Sequence, residues 1–524
     1  MRRGILSAIF LLLIHFIAFA EGDEPIIEIK ADRTFIYPQR MDLNGEESLM
    51  DVLLMVPDLM VAGYEDVISN YNLRIDNCPM NGDNRLILSQ MKAKDIARIQ
   101  VCDNTGVAKG TIGTGRVLDI NMKMPESLSA FVEGQGGFGG VMSGIASANA
   151  LFGSQRTDLY ANASYRYQGG NKEYLTLHMT NRFDDRNRLL TYFTQQYLDQ
   201  PSGASHKVMG RARYFHRFNE QGTELLLVGG YQYSADPALT SELPLFIAEL
   251  NTPLLTPRLS MTLGVEGDYL LARHRGTGRS WDIFNHDIYL QLSYTLPRWR
   301  FTAGTRAMFY HFQLKDAGVA QRHADIRDNA SACVIFVPDK RSQIQLGYYH
   351  KFYNPAFSAL FMDAPSLSDE EWAITKGQLA ERTIDQVKLS YAFSRQRLTV
   401  QTEAGYYAVR GQEDFAQLGA SAYWKTKGLA LTGGAHIYLA GSGAYASLRL
   451  APVFYLPCNW QVGAQVVYYT RNSPIRAANG APVYGCLSVN KQFGKRWNLG
   501  IDWHDMAGSR HGVQVRLQYR FSAI

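Results

Sequence analysis

After Pro125 the chain is written in long stretches of strict alternation between apolar and polar residues. Across residues 286–296 the apolar set is Ile288, Leu290, Leu292, Tyr294 and Leu296, with Tyr289, Gln291, Ser293 and Thr295 between them. A period of two is the signature of a β-strand whose faces meet different surroundings. The same alternation sets Val387, Leu389, Tyr391 and Phe393 against Lys388, Ser390 and Ser394. The C-terminus repeats it, with Val513, Val515, Leu517, Tyr519 and Phe521 opposing Gln514, Arg516, Gln518 and Arg520. A soluble sandwich also alternates, but there the apolar face meets a dry core. Three features predict a membrane barrel instead: strands of about ten residues, apolar faces ending in aromatics, and two arginines on one face of the last strand. A wet lumen accommodates those arginines, whereas a dry core would not.

Turn signals count the strands. Short polar or proline-bearing turns fall at Ser154-Gln155, Asp184-Asp185, Asn219 to Gly222, Thr256-Pro257, Pro297-Arg298, Pro338 to Arg341, Arg395-Gln396, Lys425 to Gly428, Pro457 to Asn459 and Gly494 to Arg496. Each interval between them is long enough for one hairpin of two spanning strands, so the turns predict about 22 strands. Tryptophans after turns, at Trp299, Trp460 and Trp497, predict an aromatic girdle on that side. Pro237, Pro244, Pro253 and Pro257 leave the strand between residues 236 and 257 unsettled, because proline cannot donate to a ladder.

The N-terminal region has a different grammar. Arg2 and Arg3, an apolar run over residues 5–17 and Ala18-Phe19-Ala20 read as a cleaved secretory signal peptide over residues 1–20. An N-terminal segment, 21–45, then leads into a compact α+β domain over residues 46–126. Residues 46–55 predict an amphipathic helix that Pro57 stops. Strands are expected at 72–76, 96–101 and 116–122. The remainder, 127–524, is the barrel. A barrel of this size has a lumen too wide for its own side chains, and the preceding domain is of a size to fill it.

Composition narrows the functional classes. Thirty tyrosines, 25 phenylalanines and 46 glycines with 19% charged residues favour β-structure. A net charge of +5 over 524 residues, with no basic block, does not suggest nucleic acid. The five cysteines show no metal-ligand spacing; Cys78 and Cys102 read as two separate thiols, although an oxidising periplasm permits a disulfide. No catalytic triad order, HExxH motif or paired carboxylates are evident, so no enzyme and no cofactor are expected. The glycines of 134–140 lack the helix that a phosphate cradle needs, and are expected to line a barrel strand packed closely on the inner domain.

Four blocks carry a resemblance: Asp51 to Asp58, Leu73 to Met80, Lys94 to Val101 and Gly113 to Asn121. In this order they resemble the plug domain of TonB-dependent outer-membrane receptors, and the barrel is similar to the short-loop barrels of that family. Asp58 and Asn77 stand where the family usually has glycine, and Gln100 where it usually has glutamate. The stretch Tyr353-Asn354-Pro355, with Gly377-Gln378-Leu379 and Glu381, resembles a family barrel motif. The resemblance implies a transmembrane antiparallel β-barrel with an N-terminal α+β plug, sited in the outer membrane, that takes a scarce ligand into the periplasm when the TonB complex displaces the plug. Its partners would be outer-membrane lipid, TonB and an extracellular ligand. Contact with TonB would fall on Glu24, Pro25, Ile26 and Ile27, although Ile-Ile-Glu-Ile equally suits the plug's first strand. Ligand contact is expected in the longest interval between turns, at Phe361, Asp369, Glu370 and Trp372, where carboxylates stand beside aromatics. A solvated loop with a structural tryptophan is the alternative there. The competing reading of the whole chain is a non-transporting plugged barrel that serves as a structural or protein-interaction platform.

Overall fold

The computed structural model describes residues 27–30, 33–41, 49, 52–53, 72–75, 78–79, 88, 91–102 and 117–123 of the N-terminal region. Beyond these it describes 129–522 apart from 139–142, 169, 201–202, 317–318, 340, 354–381, 396, 410–413, 442, 471–481, 495–496 and 505–511. The stretch 1–20 read as a signal peptide, Glu24, Pro25, Ile26, Phe361, Asp369, Glu370 and Trp372 therefore lie outside the described residues.

Twenty-two antiparallel strands, from β7 (Ser129–Phe138) to β28 (Gly512–Ser522), close into a barrel in which each strand pairs with its chain neighbours and β28 pairs with β7. The ten turns read from the sequence are the ten short connections of one barrel end. Side chains divide as the alternation requires. Ile288, Leu290, Leu292 and Tyr294 lie exposed on the outer face of β16 (Ser280–Thr295), while Tyr289 and Ser293 are buried on the inner one. Val387, Leu389 and Tyr391 face outward in the same way on β20 (Arg382–Arg395). Trp299, Trp460 and Trp497 are all exposed beside the turns, where amphipathic rings mark a membrane boundary. An apolar exterior on a closed sheet leaves no unpaired backbone toward lipid, which is the condition for crossing an outer membrane with strands. No helix among the described residues is long and apolar enough to cross.

The unsettled stretch is a single strand, β14 (Leu239–Pro253), that carries Pro244 in its interior. Pairing with β15 (Leu259–His274) lapses at Leu243 and Pro244 and resumes in the same register, while pairing with β13 (Glu224–Ala235) continues through Pro244↔Tyr231. Proline thus removes a hydrogen bond on one side without shifting the ladder. Pro452 does the same in β24 (Gly443–Leu456), whose pairing with β25 (Trp460–Tyr469) skips residues 451–452 and keeps its register. The glycine-rich strand departs from expectation. Gly134 and Gly136 of β7 sit over open space, so the absence of a side chain there does not reflect close packing.

The plug holds a six-stranded sheet: β1 (Ile27–Lys30), β2 (Arg33–Ile36), β3 (Asn72–Ile75), β4 (Cys78–Pro79), β5 (Ile96–Cys102) and β6 (Val117–Met122), in the order β1-β2-β5-β6-β3-β4. Cys78 and Cys102 lie on strands three sheet spacings apart, ~14 Å, which is beyond the reach of a disulfide. Leu49, Val52 and Leu53 are helical and fully buried, at the i, i+3, i+4 spacing of one helix face. Their core is shared with the barrel: Leu151, Tyr160, Tyr423, Ala430 and Val453 pack into the same cluster as Ile36, Leu73, Ile99 and Leu118. All five barrel residues lie near short turns, so the plug occupies the short-turn end of the lumen. Both barrel termini lie there as well, which makes it the periplasmic end.

The turns are built locally. Asp184 accepts the backbone N–H groups of Arg186 and Asn187, each at 2.7 Å, and the Asn187 amide at 2.7 and 2.9 Å. The Asn187 amide, and then the backbone donors, hold its carboxyl below its ordinary value. A depressed carboxyl contributes stability above its unfolded pKa and loses it as pH falls through the folded one. Asp184→Ala is therefore expected to lower the melting temperature at neutral pH. Wild type and variant should converge in acid; an offset that persists there would assign the effect to something other than the ionised carboxyl.

Candidate functional site: the lumen wall above the plug

The inner face of β14 to β17 (Trp299–Asp316) is layered. Nearest the outer connections Leu243, Leu270, Ala272, Trp281 and Ile283 form a buried apolar cluster joined by Leu239 and Tyr310. Below it Asn285 donates to Asp268 at 3.0 Å. Deeper still, Arg306 donates through Nε to Asp287 at 2.8 Å and through Nη2 to Glu266 at 2.5 Å. Tyr289 then donates to Glu249 at 2.8 Å across two strands.

Register explains the arrangement. Glu266 is the direct cross-strand partner of Asp287, which places two carboxylates side by side, and Tyr289 is the partner of Arg306. The guanidinium reaches both carboxylates while its carbon stands 5.2 Å from the Tyr289 ring centroid. Arginine suits this role because its planar fork serves two acceptors and stacks on a ring at once. The ring needs room on the opposite side: a Cβ at Gly264 would overlap the Tyr289 ring and hydroxyl, so glycine is required there.

A second polar network lines the far wall. Lys388 pairs with Glu403 at 2.7 Å, and Gln417 donates to the same carboxylate at 2.8 Å with His436 at 3.2 Å from its amide nitrogen. The lumen above the plug is thus walled by fixed charges and hydrogen-bonding side chains on two sides. Such a surface can hold and orient a polar solute, and the apolar layer can take its hydrocarbon part. Among the described residues no His, Cys, Asp and Glu set is arranged to hold a metal ion.

At the plug's edge Tyr37 donates to Glu28 of β1 at 2.7 Å, and the Arg40 guanidinium lies 3.8 Å from the Tyr37 ring centroid. Burial, then the bond to Glu28, raises the Tyr37 hydroxyl above its ordinary pKa. β1 is the outermost strand of the plug sheet, paired on one side with β2, and runs beside β19 (Ser342–Tyr353) and β20 of the barrel wall. Ile27 is its first residue, the one member of the expected TonB-contact set that is described.

No family model matches the sequence, nor does any curated protein. Solved structures do match. The siderophore receptor PirA from Pseudomonas aeruginosa aligns with a TM-score of 0.69 over 94% of this chain and 100% of its own, at 12% identity. The Fiu ferric-catecholate import receptor from E. coli aligns at 0.67 over 95% and 98%, at 10% identity. The alcaligin receptor FauA from Bordetella pertussis aligns at 0.64 over 94% and 95%, at 11% identity. This is the TonB-dependent receptor fold. Within that receptor fold the plug and the barrel are both accounted for, since the alignments cover nearly the whole chain. The network around Arg306 was not anticipated from the sequence. Its signal was available, because Glu266, Asp268 and Asp287 occupy the lumen-facing positions of apolar strands.

Proposed function

We propose that this protein is an outer-membrane receptor-transporter that captures a scarce ligand at the outer mouth of the barrel and passes it to the periplasm when TonB displaces the plug. The observation that carries the reading is a plug whose core is shared with the barrel wall at the periplasmic end of the lumen, in a chain with the receptor fold. A plug packed into the wall in this way has to rearrange for a ligand to pass beside it. Glu24, Pro25, Ile26 and Ile27 are the proposed point of pull. β1 supports this assignment, because the outermost strand of a sheet is suited to pairing with an incoming chain. Phe361, Asp369, Glu370 and Trp372 are the proposed outer ligand contacts, and the layered wall of β14–β17 is a second proposed surface within the lumen.

A second reading, the plugged barrel as a structural or interaction platform, is favoured by the brevity of several outer connections, such as 236–238 and 441–442. Growth separates the two. A strain lacking the protein is expected to grow normally in rich medium and poorly on one of limiting iron, cobalamin or glycan, with rescue by the full chain. Equal growth on every source, together with recovery of a stoichiometric surface or periplasmic protein, would support the platform.

A further inference from the structure

Among the described residues, seven of the ten periplasmic turns carry an exposed cation: Arg156, Arg186, Arg258, Arg298, Arg341, Arg397 and Lys427. None of their side chains has an ion pair or hydrogen bond among the described residues. The six arginines share one structural position. Each immediately precedes the strand that leaves the turn, and its carbonyl accepts the backbone N–H of the neighbouring hairpin: Arg182 to Arg156, Arg217 to Arg186, Thr295 to Arg258, Val337 to Arg298, Ser394 to Arg341 and Lys425 to Arg397, at 2.7 to 2.9 Å. Backbone clamped in this way presents a guanidinium at equivalent points around the rim. At the outer end the cations do not recur from connection to connection: 139–142, 169–170, 201–202, 317–318 and 441–442 contain no charged residue, whereas 275–279 carries Arg275 and Arg279 and 236–238 carries Asp236.

We propose that this ring binds the phosphodiester headgroups of anionic phospholipid in the periplasmic leaflet. Two observations choose lipid over a soluble acidic partner. The cations encircle the barrel rather than forming a patch, as an annulus of lipid does and one docked protein does not. Large apolar side chains also stand exposed beside them: Phe183 in the turn of Arg186, Leu254 and Leu255 in that of Arg258, and Trp299 next to Arg298, with Leu255 93% exposed. Cation and apolar anchor side by side are the composition of a membrane interface. At the turn 457–459, which has no cation, Lys491 takes the position instead, 5.1 Å from the Trp460 ring centroid and 5.6 Å from that of Phe493. Guanidinium is the suitable group, because its fork matches two phosphate oxygens.

The test is lipid selectivity of the full chain in nanodiscs of equal phosphatidylglycerol and phosphatidylethanolamine, read by native mass spectrometry of the lipid retained on release. Wild type should retain phosphatidylglycerol preferentially, and molar salt should erase the preference, since screening then acts within ~3 Å. Neutralising all seven positions to glutamine should reduce the preference by about fivefold or more. A control neutralised at the outer end, at Arg273, Arg275 and Arg322, should leave it unchanged. If the sevenfold variant does not form a heat-modifiable barrel, Arg156→Gln/Arg298→Gln/Arg397→Gln carries the comparison. Undiminished preference in either folded variant, a wild type without preference, or loss on neutralisation of an acidic periplasmic protein rather than lipid would overturn the proposal.

Discussion

Replacing Arg306 with methionine is expected to destabilise the barrel by about 3 kcal/mol. Glu266 and Asp287 stand directly opposite each other on β15 and β16. Their side chains are 22% and 13% exposed, and that of Arg306 is 6% exposed. Cross-strand partners approach to ~5 Å, where two like charges repel by roughly 3 kcal/mol at an effective dielectric of 20. Arg306 converts that repulsion into two charge-assisted hydrogen bonds. Removing it leaves both carboxylates uncompensated and also takes a stacked group from the Tyr289 ring. Arg306→Lys should recover only part of the loss, because an ammonium has no fork with which to serve two acceptors. Neutralising the carboxylates as well, in Arg306→Met/Glu266→Gln/Asp287→Asn, should restore most of it. Unfolding in detergent reads all three variants. A methionine variant as stable as wild type would show that the three charges do not act as a unit.

The fold was legible where the chain obeys one rule for a long distance. Strict alternation in β16, β20 and β28 identified the outer face, and ten turns fixed 22 strands, because a membrane barrel alternates solvents at every residue. Pro244 obscured β14, since a sequence rule cannot tell which neighbour loses the hydrogen bond. The helix read over residues 46–55 is met at Leu49, Val52 and Leu53, the described residues of that stretch. The site was less legible. Glu266 and Asp287 are separated by 21 positions in sequence, and only register makes them neighbours. Attention to aromatic-acidic composition led instead to Asp369, Glu370 and Trp372, which lie outside the described residues. Gly264 shows the same limit: its requirement comes from a tyrosine on the adjacent strand.

The periplasmic end joins these elements. β1 is tied to the plug through Tyr37 and Glu28, the plug core continues into Leu151, Tyr160, Tyr423, Ala430 and Val453, and Lys425 reaches the Arg40 carbonyl at 3.5 Å. A pull on the N-terminal segment, as proposed, would thus act on the plug face that packs against the barrel wall. Removing residues 22–30 takes away both the proposed TonB contact and β1, while leaving the barrel and the buried plug core in place. The measurement is growth of a strain carrying this deletion on whichever limiting source requires the full chain, with the folded barrel quantified in the outer membrane. Energised coupling predicts complete loss of ligand-dependent growth at unchanged barrel abundance; uptake that continues at the wild-type rate would contradict it.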